Sequence, residues 1–173
     1  GKSNVLGKVF NDIRKDFVYI ERDEIKELLP GFKGFNAAAF DREGSDIATD
    51  LLAQQLKSGG KNIAYEDVFL SVENVLPLIR TAQKAGYDVE VLSILVPVDK
   101  AIERGISRFT ANAGGRWLHP KTIYLAGKDQ HYVAQRLGDN AFNFDIRVRI
   151  FDNSGAEGAA PVLKFDSAKI INQ

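Results

Sequence analysis

The sequence begins with Gly1-Lys2-Ser3, residue types that can hold the phosphates of a nucleotide. They match the end of the phosphate-binding loop G-x-x-x-x-G-K-[ST], in which the lysine contacts the phosphates and the hydroxyl binds Mg²⁺. The motif has this meaning only after a strand and at the start of a helix, and three residues often match it by chance. The elements that follow must therefore decide whether Lys2 and Ser3 bind a nucleotide.

Acidic side chains follow two segments that the sequence predicts to be strands. Residues 17–20, FVYI, are β-branched and aromatic, and Asp23 comes shortly after them. Residues 62–65, NIAY, are followed directly by Glu66 and Asp67. Because ligands of α/β proteins bind at the carboxyl ends of parallel strands, these positions favour a binding site there.

The apolar pattern alternates between strands and helices along the chain. Residues 89–98 are nearly continuously apolar, which is typical of a strand in a parallel sheet covered on both faces. Further elements are predicted as helices over 4–15, 43–57, 71–85, 121–136 and from Asp99 onward, and as a terminal hairpin of 146–151 and 162–165. This alternation predicts an α/β domain with a mostly parallel sheet.

The composition narrows the classes of partner. The 23 basic and 23 acidic residues cancel, so no overall field draws the protein to nucleic acid or to an acidic membrane, and neither partner is expected. The chain has no cysteine, and His119 and His131 lack a zinc-type spacing, so no structural metal is expected. No apolar run approaches membrane-spanning length and no signal peptide is visible, which predicts a cytoplasmic protein.

The order of the motifs resembles that of the zeta toxin family of P-loop kinases. After GKS and its helix, residues 21–26, ERDEIK, and Pro30 resemble the family's D-x-D-x-[FI]-[RK] segment and the proline that follows it. The strand in KNIAYED resembles the one before the family's E-G-T segment. Two departures occur, since Glu21 stands for the first aspartate and Asp67-Val68 replaces Gly-Thr.

The second half of the chain continues the resemblance. Residues 85–105, AGYDVEVLSILVPVDKAIERG, resemble a strand–helix unit that ends in a phosphate-contacting arginine, and residues 146–155, IRVRIFDNSG, resemble the family's late hairpin. The resemblance implies a P-loop NTPase-like fold, with a mostly parallel sheet flanked by helices and a C-terminal β-hairpin. It also implies a single kinase domain over residues 1–173, whose first strand and glycine-rich half of the loop precede Gly1.

The resemblance assigns roles on the nucleotide and base side of a phosphoryl transfer. Gly1 and Lys2 are expected to bind the β- and γ-phosphates of ATP, and Ser3 to ligate Mg²⁺. Asp23 is expected to be the general base that takes the proton of an acceptor hydroxyl. Its acidic neighbours Glu21 and Glu24 lie so close in sequence that the choice of Asp23 depends on the resemblance.

Two arginines are expected to contact the transferring phosphate. Arg104 and Arg116 stand where the family has such residues, and a guanidinium group matches phosphate oxygens in charge and geometry. Arg108 lies on the same predicted helix as Arg104 and is the competing assignment. The alternative for each arginine is a solvated helix face, which is the more common case. Trp117 and His119 are interpreted as packing residues that follow Arg116, in preference to nucleotide contacts.

The acceptor side is expected to use Glu66 and Ser45. Glu66 matches the family's acidic residue near the sugar nucleotide, and Ser45 lies on the helix predicted over 43–57. Thr49 and Asp50, on the same helix, are weaker candidates. The alternative for Ser45 is a cap at the start of that helix, and the alternative for Thr49 and Asp50 is plain solvation.

The resemblance implies an ATP-dependent, Mg²⁺-dependent phosphotransferase with an alcohol group as acceptor. The family substrate is UDP-N-acetylglucosamine, phosphorylated on the 3′-hydroxyl of its sugar, and an antitoxin protein blocks the nucleotide site. Two alternatives stay open: a P-loop kinase for another small hydroxyl acceptor, such as an antibiotic or a nucleoside, and a non-catalytic nucleotide-binding or interaction domain. Both departures from the family pattern lie on the acceptor side, so they weaken the assignment of the substrate more than the assignment of kinase activity.

Overall fold

The computed structural model describes residues 16–111, 117–156 and 159–169. Their helices and strands are β1 Phe17–Glu21, α1 Arg22–Glu27, α2 Asp41–Ser58, β2 Asn62–Glu66, α3 Val72–Lys84, β3 Glu90–Leu95, α4 Val98–Ala111, α5 Pro120–Asp139, α6 Ala141–Phe144, β4 Arg147–Asp152 and β5 Val162–Asp166. The predicted α/β alternation is confirmed in these residues. The candidates Gly1, Lys2, Ser3 and Arg116, and the helix predicted over 4–15, lie outside them.

The described chain forms two compact units. The first unit contains residues 16–67, 99–111 and 117–124, and the second contains residues 68–98, 125–156 and 159–169. The first unit holds the β1–β2 sheet, and the second holds a sheet in the order β3-β4-β5. The single kinase domain over residues 1–173 stays a prediction.

In the first unit, β1 and β2 pair in parallel from Phe17↔Asn62 to Glu21↔Glu66. Helix α2 packs against α1 and β1, and its buried face carries Ala48, Leu52 and Leu56 at helical spacing. The helix ends at Gly59, whose φ of 66° is a conformation that glycine adopts without steric cost. These apolar contacts hold α2 against β1 and against α1, the helix that carries Asp23.

The second unit has a core formed by α3, α5 and β4. Val75, Ile79, Val133, Leu137 and Val148 are buried there and contact one another. Strands β3 and β4 pair in parallel, and β5 returns antiparallel to β4, which confirms the predicted hairpin. The helix predicted over 71–85 is confirmed as α3, and the Ser71 hydroxyl caps it by accepting a hydrogen bond from the Asn74 N–H.

One predicted strand is shorter and more exposed than its sequence indicates. The strand predicted over 89–98 ends at Leu95, because Pro97 has no N–H for a ladder and Val98 already begins α4. Within β3, Val91 to Leu95 are half-buried and Glu90 is exposed. Among the described strands β3 pairs with β4 alone, and its half-buried side chains are less covered in this part of the chain than those of a fully buried strand would be.

Candidate active site

The candidate site is built where the carboxyl ends of β1 and β2 meet. Because the two strands are parallel and in register, Glu21 lies opposite Glu66, and the next residues of both segments leave the sheet at the same edge. Arg22, the first residue after β1, lies beside Asp67, the first residue after β2. Asp23 follows Arg22 in the chain, and Glu66 precedes Asp67.

Asp23 lies in the first turn of α1 and is partly accessible. Its side chain is 32% exposed, and its Oδ1 lies 2.9 Å from the Lys26 Nζ one turn later. Glu24, the neighbouring acid, is exposed on the same turn. Asp23 thus contacts a buried cation and remains accessible from solvent.

Glu66 is a buried carboxylate with a fixed orientation. Only 8% of the residue is exposed, and its Oε2 accepts a hydrogen bond from the Tyr19 hydroxyl of β1. Tyr19 and Glu66 lie on the same face of the sheet, since Tyr19 pairs with Ala64 and side chains alternate along a strand. A buried carboxylate held in this way can accept hydrogen bonds from hydroxyl groups of a bound ligand.

An ion pair connects the ends of the two strands. Arg22 Nη1 lies 2.9 Å from Asp67 Oδ1, and the two side chains are 22% and 13% exposed. The Nε–H of Arg22 is buried and has no hydrogen-bond partner among the described residues. Burial raises the pKa of the neighbouring Tyr65 phenol, and the charge of Asp67 adds to that rise. Asp67, one of the two departures from the family pattern, is thus ion-paired with Arg22, a residue that was not among the candidates from the sequence.

Replacing Arg22 with Met is expected to lower the free energy of unfolding by about 1–3 kcal/mol, because Asp67 would remain largely buried without its cation. The double variant Arg22→Met with Asp67→Asn should recover most of that loss. Urea unfolding followed by circular dichroism measures both. Equal stability of the wild type and the single variant would show that the pair contributes nothing measurable.

Ser45 is the fifth residue of α2, at the start of its second turn, so the capping alternative is wrong. The helix begins four residues earlier, at Asp41. The Ser45 carbonyl accepts a hydrogen bond from the Thr49 hydroxyl at 2.9 Å, which is a bond within the helix. The acids Asp41 and Glu43 in the first turn were the sequence signal for the true start. Ser45 is half-buried and stays a predicted substrate contact, whereas Thr49 and Asp50 are exposed.

Arg104 and Arg108 differ in their surroundings on α4. Arg104 is half-buried, whereas Arg108 is exposed and its Nε–H donates to the Arg104 carbonyl at 3.2 Å, back onto its own helix. Beside Arg104, a Cβ at Gly105 would lie 2.7 Å from Ile123 Cδ1 of α5. The glycine therefore permits a close approach of the two helices next to Arg104. These surroundings favour Arg104 over Arg108 as the arginine with a specific role.

Trp117 and His119 have structural contacts, as the sequence analysis expected. The Trp117 ring meets the Phe109 ring edge-on with centroids 5.0 Å apart. The His119 Nδ1 accepts a hydrogen bond of 3.1 Å from the Lys121 N–H at the start of α5. His119 thus caps this helix, and Pro120 suits its first position because proline has no N–H to leave unpaired.

Two surface cavities of the described chain are lined by none of the predicted site residues. They have volumes of about 410 and 450 Å³ and lie in the second unit, along α3 and beside α5. A metal ion has no ready site in the described part of the chain. Within residues 16–111, 117–156 and 159–169, no group of three or more acidic or histidine side chains is arranged to hold one. No helix in that part of the chain is both long and apolar enough to cross a membrane.

Comparisons with known proteins identify the family. The chain matches the family described as Zeta toxin over residues 1–157. A chain from the structural characterisation of the PezAT chromosomal toxin-antitoxin system of Streptococcus pneumoniae has a similar fold, with a TM-score of 0.66 and 16% sequence identity. The similarity covers 98% of this chain and 68% of that one. No curated protein matches the sequence significantly. This chain, with a P-loop kinase fold, belongs to the zeta toxin family of kinase-like toxins.

Proposed function

We propose that the protein is an ATP-dependent kinase that phosphorylates a hydroxyl group of UDP-N-acetylglucosamine. The observation that supports the proposal is the parallel, in-register pairing of β1 and β2, in which Glu66 at the end of β2 pairs with Glu21, two residues before Asp23. Family membership supports a phosphotransferase in general. The specific acceptor is our inference from the resemblance together with the two acidic groups.

Asp23 is proposed to act as the general base. Its carboxylate accepts the proton of the acceptor hydroxyl while the hydroxyl oxygen bonds to the γ-phosphorus of ATP, and the bond from that phosphorus to the bridging oxygen of ADP breaks. Glu66 is proposed to orient the acceptor by accepting hydrogen bonds from its other hydroxyl groups. Because Tyr19 holds the Glu66 carboxylate, that group needs little rearrangement when the acceptor binds.

Cationic groups are proposed to hold the nucleotide and the transferring phosphate. Among the described residues, Arg104 of α4 is half-buried and is the arginine proposed for this role. With Arg116 it would stabilise the charge that spreads over the phosphate oxygens. Lys2 with Gly1 would bind the β- and γ-phosphates, and Ser3 would ligate Mg²⁺, which when bound neutralises phosphate charge.

A second acceptor class is favoured by one observation. Asp67 stands where the family pattern has the glycine of Gly-Thr, and it forms an ion pair with Arg22. A charged, paired residue in place of a glycine changes the shape and the charge on the proposed acceptor side, so a different small hydroxyl compound is the alternative. The similarity to a chain of the PezAT toxin-antitoxin system also supports an antitoxin protein as a proposed partner.

The test is a product assay with the purified protein, Mg²⁺-ATP and a panel of acceptors: UDP-N-acetylglucosamine, nucleosides and aminoglycoside antibiotics. We expect a phosphorylated sugar nucleotide by mass spectrometry, formed only with ATP. Product from a nucleoside or an antibiotic alone would replace the proposed acceptor with the alternative. ATP binding without any phosphorylated product would contradict the kinase proposal and favour a non-catalytic nucleotide-binding domain.

A further inference from the structure

Lys26 is a buried lysine placed between two carboxylates. The residue is 3% exposed, and its Nζ lies 2.9 Å from Asp23 Oδ1 and 2.6 Å from Asp41 Oδ1. Lysine is almost never fully buried unless it is paired, because removing an ammonium group from water is costly. Lys26 therefore connects α1, which carries Asp23, to the first residue of α2.

The stem of Lys26 passes over a glycine of the neighbouring helix. A Cβ at Gly44 of α2 would lie 2.6 Å from Lys26 Cγ and 3.3 Å from Lys26 Cδ. Glycine inside a helix is less favourable than alanine by about 1 kcal/mol, so its presence here needs a packing reason. The close approach of the Lys26 stem supplies that reason, and it restricts the path by which the ammonium group reaches Asp23.

We propose that Lys26 is a positioning residue for Asp23, an inference that rests on the proposed function of Asp23 as the base. Lys26 holds Oδ1 of Asp23 and thereby sets the orientation of the carboxylate. Asp41 makes the shorter contact to Lys26 and is half exposed, so it remains a charged partner in contact with water. The ammonium group therefore stays paired after Asp23 has taken a proton, and the carboxylate keeps its place through the reaction.

The test compares Lys26→Met, which keeps the stem and removes the charge, with Lys26→Arg, which keeps a charge. We expect Lys26→Met to lower kcat by roughly 10- to 100-fold, with the KM values for ATP and the acceptor nearly unchanged, because a misplaced base slows the chemical step without weakening binding. Lys26→Arg should retain more of kcat than Lys26→Met. Lys33→Met, at an exposed lysine of the same unit, is the matched control and should leave kcat unchanged.

Two further variants separate positioning from simple stabilisation. Asp41→Asn removes one charged partner of Lys26 but leaves Lys26 beside Asp23, so it should lower the melting temperature and lower kcat less than Lys26→Met does. Gly44→Ala changes no charged group but displaces the Lys26 stem, so it should lower kcat in the folded protein. If Lys26→Met does not fold, the outcome for Gly44→Ala decides: an unchanged kcat in that variant overturns the proposal.

The outcomes also distinguish this proposal from the proposed function. Loss of turnover in Asp23→Asn together with a normal kcat in folded Lys26→Met would overturn the role of Lys26 and leave the base in place. Normal turnover in Asp23→Asn would remove the base itself. In unfolding experiments, the cycle of Lys26→Met, Asp23→Asn and the double variant should show a coupling between the two residues, and additive effects would contradict the contact.

Discussion

Replacing Asp23 with Asn is expected to lower kcat by about 10²- to 10⁴-fold, the range typical for loss of a general base. Asparagine has the same shape and its amide oxygen can still contact Lys26, so the local structure should persist. An amide cannot take the proton of the acceptor hydroxyl at neutral pH. ATP binding should remain nearly intact, because this residue acts on the acceptor. Steady-state kinetics and ATP titration by calorimetry measure the two effects separately.

The matched control is Glu24→Gln. Glu24 is the next residue on the same turn of α1 and is exposed, so the change removes one negative charge at almost the same place. It should leave kcat nearly unchanged. A large loss of kcat in Glu24→Gln with normal turnover in Asp23→Asn would assign the base to Glu24. The two acids are neighbours in sequence, and only the family resemblance favours Asp23.

Replacing Arg104 with Met is expected to lower kcat by about 10²- to 10³-fold, the loss typical when one group that stabilises transition-state charge is removed. Methionine keeps a long apolar stem beside the close contact of Gly105 and Ile123, so α4 should keep its packing. The loss should appear in kcat more than in the KM for the acceptor, because charge develops on the transferring phosphate in the transition state.

Arg108→Met, one turn along α4, is the control for Arg104. Arg108 is exposed and donates to a carbonyl of its own helix, so its loss should change kcat little and stability by no more than about 0.5 kcal/mol. Similar losses of kcat in both variants would mean that the helix contributes through its general positive charge. A larger loss in Arg108→Met would reverse the assignment of the phosphate contact.

The elements that could be predicted have local causes. The α2 helix follows from apolar residues at helical spacing and from Gly59 at its end, and β1 and β2 follow from short β-branched and aromatic runs. Boundaries were less exact, since α2 begins at Asp41 and β3 ends at Leu95. The strand was predicted too long because apolar residues continue past Leu95 to Pro97, which has no N–H for the ladder. The helix was predicted too short because the acidic first turn with Asp41 and Glu43 was not read as its start.

The residue pattern alone predicted strands β1 to β5 and helices α2 to α5, and it predicted that Asp23 and Glu66 lie at strand ends. It also carried the order of motifs by which the chain resembles its family. These features depend on residues that are neighbours along the chain or one helical turn apart, so periodicity and local propensity reveal them.

The pairing of side chains at the strand ends depends on tertiary packing. The contacts of Arg22 with Asp67 and of Lys26 with Asp41 join residues that are far apart in the chain. The meaning of Gly44 depends on a side chain from another helix. No local pattern distinguishes Lys26 from a solvated lysine, because burial and ion pairing result from how helices and strands pack against one another.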